Sequence, residues 1–521
     1  MSSYNHRFYA KILPAAVLII FFAFSLLAPP VSAEADDRVV IGQTAEAPGL
    51  HILMEVDTVA FERLNLINEP LIILNRDLDL EPNLATDWEI SDDATRVDVQ
   101  LREGVKWHHG REMTAEDVKY TFEWILDDDN PVPYRDLFEP IDEVEVVDDY
   151  KAIFHLEEPY TFMVNNLARM GLVPHDYHEE VGYEEFRQNP VGTGPYEHKE
   201  WEDSEYHILS SFADYWDGEP NFSELEFRPI PEDSSRLLAF EAGEIDMYQG
   251  GVLAEEIERL EEDPEFDVYR TPGTGYVHMA MNSNSDRNPE LLSDRYFRRA
   301  VAHAVNREGI VEHVMNGIGR PGQSNIPPNM PHFNDEIDYP EYDLEKAREY
   351  LEKSPAEQGD SIEIYLDQDS VNMQIAEIME FELGQIGIDL EINVEEWGAL
   401  LDRILDSNDY DMYFGSWTGQ TDPDRASFRQ FHSEGDSNHT HYSNERVDEL
   451  LEEGRTVDPT SERSREIYKE VQEILIEDVP TVFLYYYEEV ALVQPEFEGF
   501  EIFPYASRAW GQLVDQVERV E

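Results

Sequence analysis

The sequence predicts an α/β protein, and one stretch carries most of that prediction. Ile362-Glu-Ile364-Tyr-Leu366 alternates apolar and polar residues, as a strand with one buried face does. Ile375, Ile378, Met379, Leu383 and Ile386 then recur at helical spacing. Gly387 supplies the stop, because glycine enters the left-handed cap cheaply. Ile388-Asp-Leu390-Glu-Ile392-Asn-Val394 alternates again, and a second short helix fits 396–406. Tyr410 to Phe414 reads as a third strand, ending at Gly415-Ser-Trp417. A β-α-β-α-β order implies parallel strands joined by right-handed crossovers.

The earlier elements follow the same logic. Arg7 and Lys11 precede an apolar stretch, Ile12 to Ala28, and Val31-Ser32-Ala33 forms a small-residue site. Residues 1–33 therefore read as a secretory signal. The apolar stretch is slightly long, so an uncleaved N-terminal membrane anchor is the alternative. Either way the rest of the chain is expected outside the cell. Residues 97–101 alternate as a strand, and Thr114-Ala-Glu-Asp117 resembles a capping box opening a helix through Val118, Phe122 and Ile125. Val144-Glu-Val146 and Ala152-Ile-Phe154-His-Leu156 flank acidic turn residues and read as a hairpin.

Composition bounds the function. The 521 residues hold 38 Lys+Arg against 114 Asp+Glu, a formal charge of -76. A basic nucleic-acid surface is excluded, since phosphate neutralisation supplies most of that affinity. With 41% hydrophobic and 12% aromatic residues, the chain has material for a core and is not simply disordered. Acidity dispersed along the whole chain suits very high salt, where the screening length falls to about 3 Å at 1 M. It predicts a halophilic, haloarchaeal source. Cysteine is absent, which excludes disulfides, thiolate metal sites and a lipid-modified cysteine anchor.

Motifs for catalysis are missing. There is no Gly-x-Ser-x-Gly elbow, Walker loop or His-Glu-x-x-His. His108-His109 and His439/His441 are weak metal candidates, since no acid near them stands out from the background. No metal, cofactor or enzymatic activity is predicted. Asn221 and Asn438 each begin a glycosylation triplet, a pattern common by chance. In parallel sheets ligands gather beyond the carboxyl ends of strands. That rule points to Trp417-Thr418-Gly-Gln420-Thr-Asp422; a turn-rich loop with one core Trp is the alternative.

Several ordered blocks resemble a known family. They include Glu81-Pro-Asn-Leu84-Ala85-Thr86-Asp-Trp88, Leu101-Arg102-Glu-Gly104-Val-Lys106-Trp107 and Pro190-Val191-Gly192-Thr193-Gly194-Pro195-Tyr196. Tyr215-Trp216-Asp217-Gly218, Phe297-Arg298-Arg299-Ala300 and Trp417-Thr-Gly-Gln-Thr-Asp422-Pro423 continue the series. The chain is similar to extracellular solute-binding proteins of family 5, the peptide/nickel class serving ABC importers.

The resemblance implies a two-lobed fold of the periplasmic-binding-protein type, with mixed or parallel sheets flanked by helices. Lobe I is expected over 34–282 plus 488–521, with a subdomain near 82–185, and lobe II over 283–487. The crossings are expected near Met281-Asn282 and Tyr485-Tyr486-Tyr487. It implies a small polar solute, such as an oligopeptide, held in the interlobe cleft and delivered to a membrane permease. The protein is expected to be a monomer.

Trp417 and Trp397 are candidate walls, Tyr276 and Tyr487 candidate walls with a polar tip, and Thr418, Gln420, Asp422 and Glu46 candidate contacts. Two departures stand out. Gln420 occupies the position where peptide binders of this family place an Asp for the α-ammonium, so a charge-assisted bond is missing. No Arg precedes Trp417 for the peptide carboxylate. An oligosaccharide or nickel-binding member, a sensor and a hydrolase are the alternatives.

Overall fold

The computed structural model describes residues 38–419, 421–505, 508 and 510–520. The segment 1–33 and Gln420 lie outside the described residues.

The sheet at the centre of the molecule is mixed. From one edge it runs Ile388–Val394, Asp360–Leu366, Met412–Trp417, Asp267–Met281, Thr481–Val493 and Met247–Gln249. It continues through Arg38–Gln43, Glu224–Pro229 and Tyr206–Ser211 to Tyr196–Glu202. The predicted parallel unit is present: Asp360–Leu366 pairs in parallel with both Ile388–Val394 and Met412–Trp417. Its helix, Ser370–Ile386, buries Ile375, Met379 and Leu383, and Gly387 caps it at φ 90°. The short helix expected over 396–406 begins at Trp397 and regular α-geometry ends at Asp402. The third strand starts two residues later than expected and takes in Trp417, which pairs with Tyr276.

Two long strands hold the sheet together. Asp267–Met281 and Thr481–Val493 pair antiparallel along most of their length. The first, at about 3.3 Å per residue, spans roughly 50 Å. Its carboxyl half pairs with Met412–Trp417, while Thr481–Val493 meets Met247–Gln249 at its far end. The register slips between Pro272 and Tyr276, a β-irregularity near the middle of the sheet. Such irregularities bend a strand and increase its local twist.

A separate four-stranded sheet covers 85–156, in the order Ala85–Ile90, Arg96–Leu101, Lys151–Leu156, Ile141–Asp148. Val97, Val99 and Leu101 point inward as the alternation predicted, and the 141–156 hairpin forms. The helix Ala115–Leu126 opens where the capping motif placed it, with Thr114 N–H donating to Asp117 Oδ2 at 3.0 Å. Asp117 is buried and also accepts from Trp107 Nε1 at 3.2 Å and Arg111 Nη1 at 3.0 Å. Further on, buried Glu69 accepts from Thr193 Oγ1 at 2.9 Å, Tyr215 Oη at 2.9 Å and Trp216 Nε1 at 3.0 Å. It joins two blocks of the resemblance, and burial raises its pKa to about 7. The sequon residue Asn438 donates its amide to His432 O and Tyr442 O, so that side chain is engaged within the fold.

Candidate functional site

Four stretches distant in sequence enclose one cavity of about 150 Å³. Its walls come from the helix Thr58–Leu64 and its flanks, from 134–170, from the loop after Trp417, and from 505–508. Phe61, Tyr134, Met170 and Tyr505 supply apolar and aromatic surface. Arg169, Arg425 and Arg508 supply charge. Aromatic walls with a few convergent polar groups are the usual make-up of a small-molecule site.

Two of the arginines are placed by what surrounds them. Arg169 donates from Nη2 to Gly419 O at 2.8 Å, tying the 134–170 wall to the loop after Trp417. Arg425 lies in the first turn of the helix Pro423–Phe431. Asp422 caps that helix, its Oδ1 accepting from Arg425 N–H at 2.8 Å. Burial lowers the pKa of Arg425, and the cations Arg169 and Arg429 push it the same way, against Asp422. Arg169 is lowered too, first by burial.

Side-chain contacts close the space beside this cavity. Tyr160 Oη donates to Asp424 Oδ2 at 3.1 Å, and Thr161 Oγ1 donates to Arg455 O at 3.1 Å beside a backbone bond between the same two residues. Arg455 lies 4.6 Å from the Tyr160 ring centroid and 4.0 Å from that of Phe428. Asp424 is fully enclosed, and burial raises its pKa to about 6 against the pull of Arg455.

The residues singled out in the sequence are distributed unevenly around this cavity. Thr418 lines it. Asp422 sits just behind it as the helix cap, and its Oδ2 is buried with no hydrogen-bond partner among the described residues. Trp417 is half-buried, packs on the main core and borders a much smaller pocket of about 10 Å³ with His278 and Tyr413. Tyr487 stands beside a third cavity of about 100 Å³, with Gly273 and Arg320. Tyr276 is wholly buried and donates to Gln430 Oε1. Trp397 is 52% exposed at the start of its helix. Glu46 accepts from Trp201 Nε1 at 3.0 Å and lies 3.7 Å from Arg63 Nη1, away from the residues that line the 150 Å³ cavity. The sequence reading passed over Arg169, Arg425 and Arg508. The available signal was scarcity: in a chain this acidic, a base three residues after a flagged loop position stands out.

The comparisons agree with this architecture. Residues 79–439 match the model of bacterial extracellular solute-binding proteins, family 5. The match covers more than half the chain, and the protein belongs to that family. The oligopeptide-binding protein AppA of Bacillus subtilis is 26% identical over 494 residues, 89% of either chain. A dipeptide-binding protein of Escherichia coli is 28% identical over 455 residues, 81% of this chain and 84% of that one. Among solved structures, DppA of Helicobacter pylori in complex with the peptide STSA is 26% identical at a TM-score of 0.80. That match covers 93% of this chain and 98% of that one. The fold is thus the two-lobed one of periplasmic binding proteins, and the family is one of binding proteins that serve transport. Among the described residues no helix is long and apolar enough to cross a membrane.

Proposed function

We propose that this protein captures a peptide outside the cell and delivers it to the permease of an ABC importer. The observation that carries the proposal is the cavity itself, walled by four distant segments of a chain whose relatives are named for peptides. Enclosure favours capture, because polar contacts strengthen when water is excluded. Lobe I is read as 34–282 plus 488–521 and lobe II as 283–487. The crossings between them are read near Met281-Asn282 and Tyr485-Tyr486-Tyr487, and the register slips of the long strand between Pro272 and Tyr276 and between Val277 and His278 support a bend close by. Ligand contacts would come from Thr418, Gln420 and Asp422, with Arg425 beside them and Arg169 and Arg508 from the other walls. Export by the N-terminal segment, a saline habitat and a monomeric state complete the reading.

The test is the cargo. The protein is purified from its source in high salt, denatured, and the released small molecules are identified by mass spectrometry. A ladder of peptides is expected. A single sugar or metal chelate in stoichiometric amount would replace the peptide assignment.

A further inference from the structure

The charge of the cavity runs against the charge of the molecule. Acids outnumber bases 114 to 38, yet no described Asp or Glu lines this cavity, whereas three arginines do. Arg429 and Arg455 nearby are matched by Asp436 at 2.9 Å and Asp424 at 3.4 Å. Arg169, Arg425 and Arg508 form no ion pair among the described residues. Arg508 feels Glu69, Asp422 faces both Arg169 and Arg425, and Asp136 faces Arg425 as well as Arg429.

The donors there lack acceptors. Arg425 Nε and Nη1 are buried without a hydrogen-bond partner among the described residues, and so is Thr421 Oγ1 in the same wall. A buried donor left unmatched is costly. The fold holds two such groups beside one cavity, where a ligand oxygen would satisfy them. A guanidinium fork matches a carboxylate through paired N–H donors.

We propose that the cavity takes a ligand of net negative charge, with a carboxylate seated against Arg425 and Arg169 and its apolar part on Phe61, Tyr134 and Tyr505. This rests on the capture reading above and names its substrate class: acidic peptides rather than peptides at large. The carboxylate that defines this class is that of an acidic side chain, since every peptide carries a terminal one.

Isothermal titration calorimetry tests it, in potassium chloride at a concentration where circular dichroism shows the native fold. Contact pairs survive such salt better than long-range attraction does. The probes are Ala-Glu-Ala, Ala-Gln-Ala, Ala-Lys-Ala, C-terminally amidated Ala-Glu-Ala, and citrate. We expect Ala-Glu-Ala to bind about tenfold or more tightly than Ala-Gln-Ala, as one charge-assisted pair supplies. Arg425→Gln should collapse that ratio to a few-fold at most, and Arg425→Lys, which keeps the charge but not the fork, should keep only part of it; the wild-type ratio stands as the test if a variant misfolds. Equal binding of Glu and Gln peptides with loss on amidation would assign the carboxylate to the terminus and overturn the acidic preference. Equal binding of all peptides, or tightest binding of Ala-Lys-Ala, would overturn the inference and leave the capture reading standing. Citrate binding with no peptide bound would do the reverse. Binding of no probe by folded protein would sink both.

Discussion

The strand pair at the centre of the sheet and the contacts beside the cavity hold the chain together in different ways. On one side run the strands Asp267–Met281 and Thr481–Val493, paired by backbone hydrogen bonds across the middle of the sheet. On the other side stand a few isolated contacts, mostly through side chains: Tyr160 to Asp424, Thr161 to Arg455, Arg169 to Gly419. The first kind persists in any conformation that keeps the sheet. The second breaks one bond at a time, each worth about 1 kcal/mol net. In the proposed two-lobe reading the separable contacts are the side that opens: a hinge is a short irregularity in a continuous element, and a latch is a set of separable contacts.

The largest expected effect comes from breaking the hinge side. A Cβ on Gly275 would overlap Trp417 O and the Tyr487 hydroxyl, and the first of these is backbone that cannot swing aside. Gly275→Val should cost about 3 kcal/mol or more in unfolding free energy, by overpacking. Chemical denaturation in constant salt measures it; a change below about 0.5 kcal/mol would mean that the strands separate easily there.

A middle effect comes from the latch. Tyr160→Phe removes the hydroxyl that donates to Asp424 and keeps the ring over which Arg455 lies. It should cost about 1 kcal/mol, mostly in the closed form. Small-angle scattering of the ligand-free protein should then register a larger radius, with the melting temperature little changed. A lowered melting temperature at constant radius would make Tyr160 a core residue instead.

The smallest effect is that of pH. Asp424 is raised to about 6 where it is enclosed, so closure favours its protonated form. The sign follows: closure is helped below pH 6 and weakened as pH rises through it. The radius should therefore grow slightly between pH 5 and pH 7, and Asp424→Asn should flatten that change. An unchanged slope in the variant would move the titration to another group.

Legibility in the sequence tracked how local the physics was. The Ser370–Ile386 helix, its Gly387 cap, the Thr114 start and the 141–156 hairpin depend on neighbours within a few residues, and all were readable. Alternation marked the strands but not their depth in the fold, so nothing in the sequence showed that Tyr276 would be wholly buried and bonded to Gln430. The strand ending at Trp417 was read short because Gly415 and Ser416 look like a turn, whereas pairing with Val277 and His278 keeps them extended. The arginine cavity was invisible because its walls lie hundreds of residues apart, from Thr58 to Arg508.

The place of Thr481–Val493 also governs how the chain can be made. That strand lies in the interior of the sheet, between Asp267–Met281 and Met247–Gln249. Until the ribosome has passed Val493, the two halves of the sheet share no partner and the strands already made keep open edges. Pairings so distant in sequence form slowly, because loop closure comes before reward. A nascent chain of this design therefore stays threadable for nearly its whole synthesis, which is the condition a translocation channel imposes on its passengers.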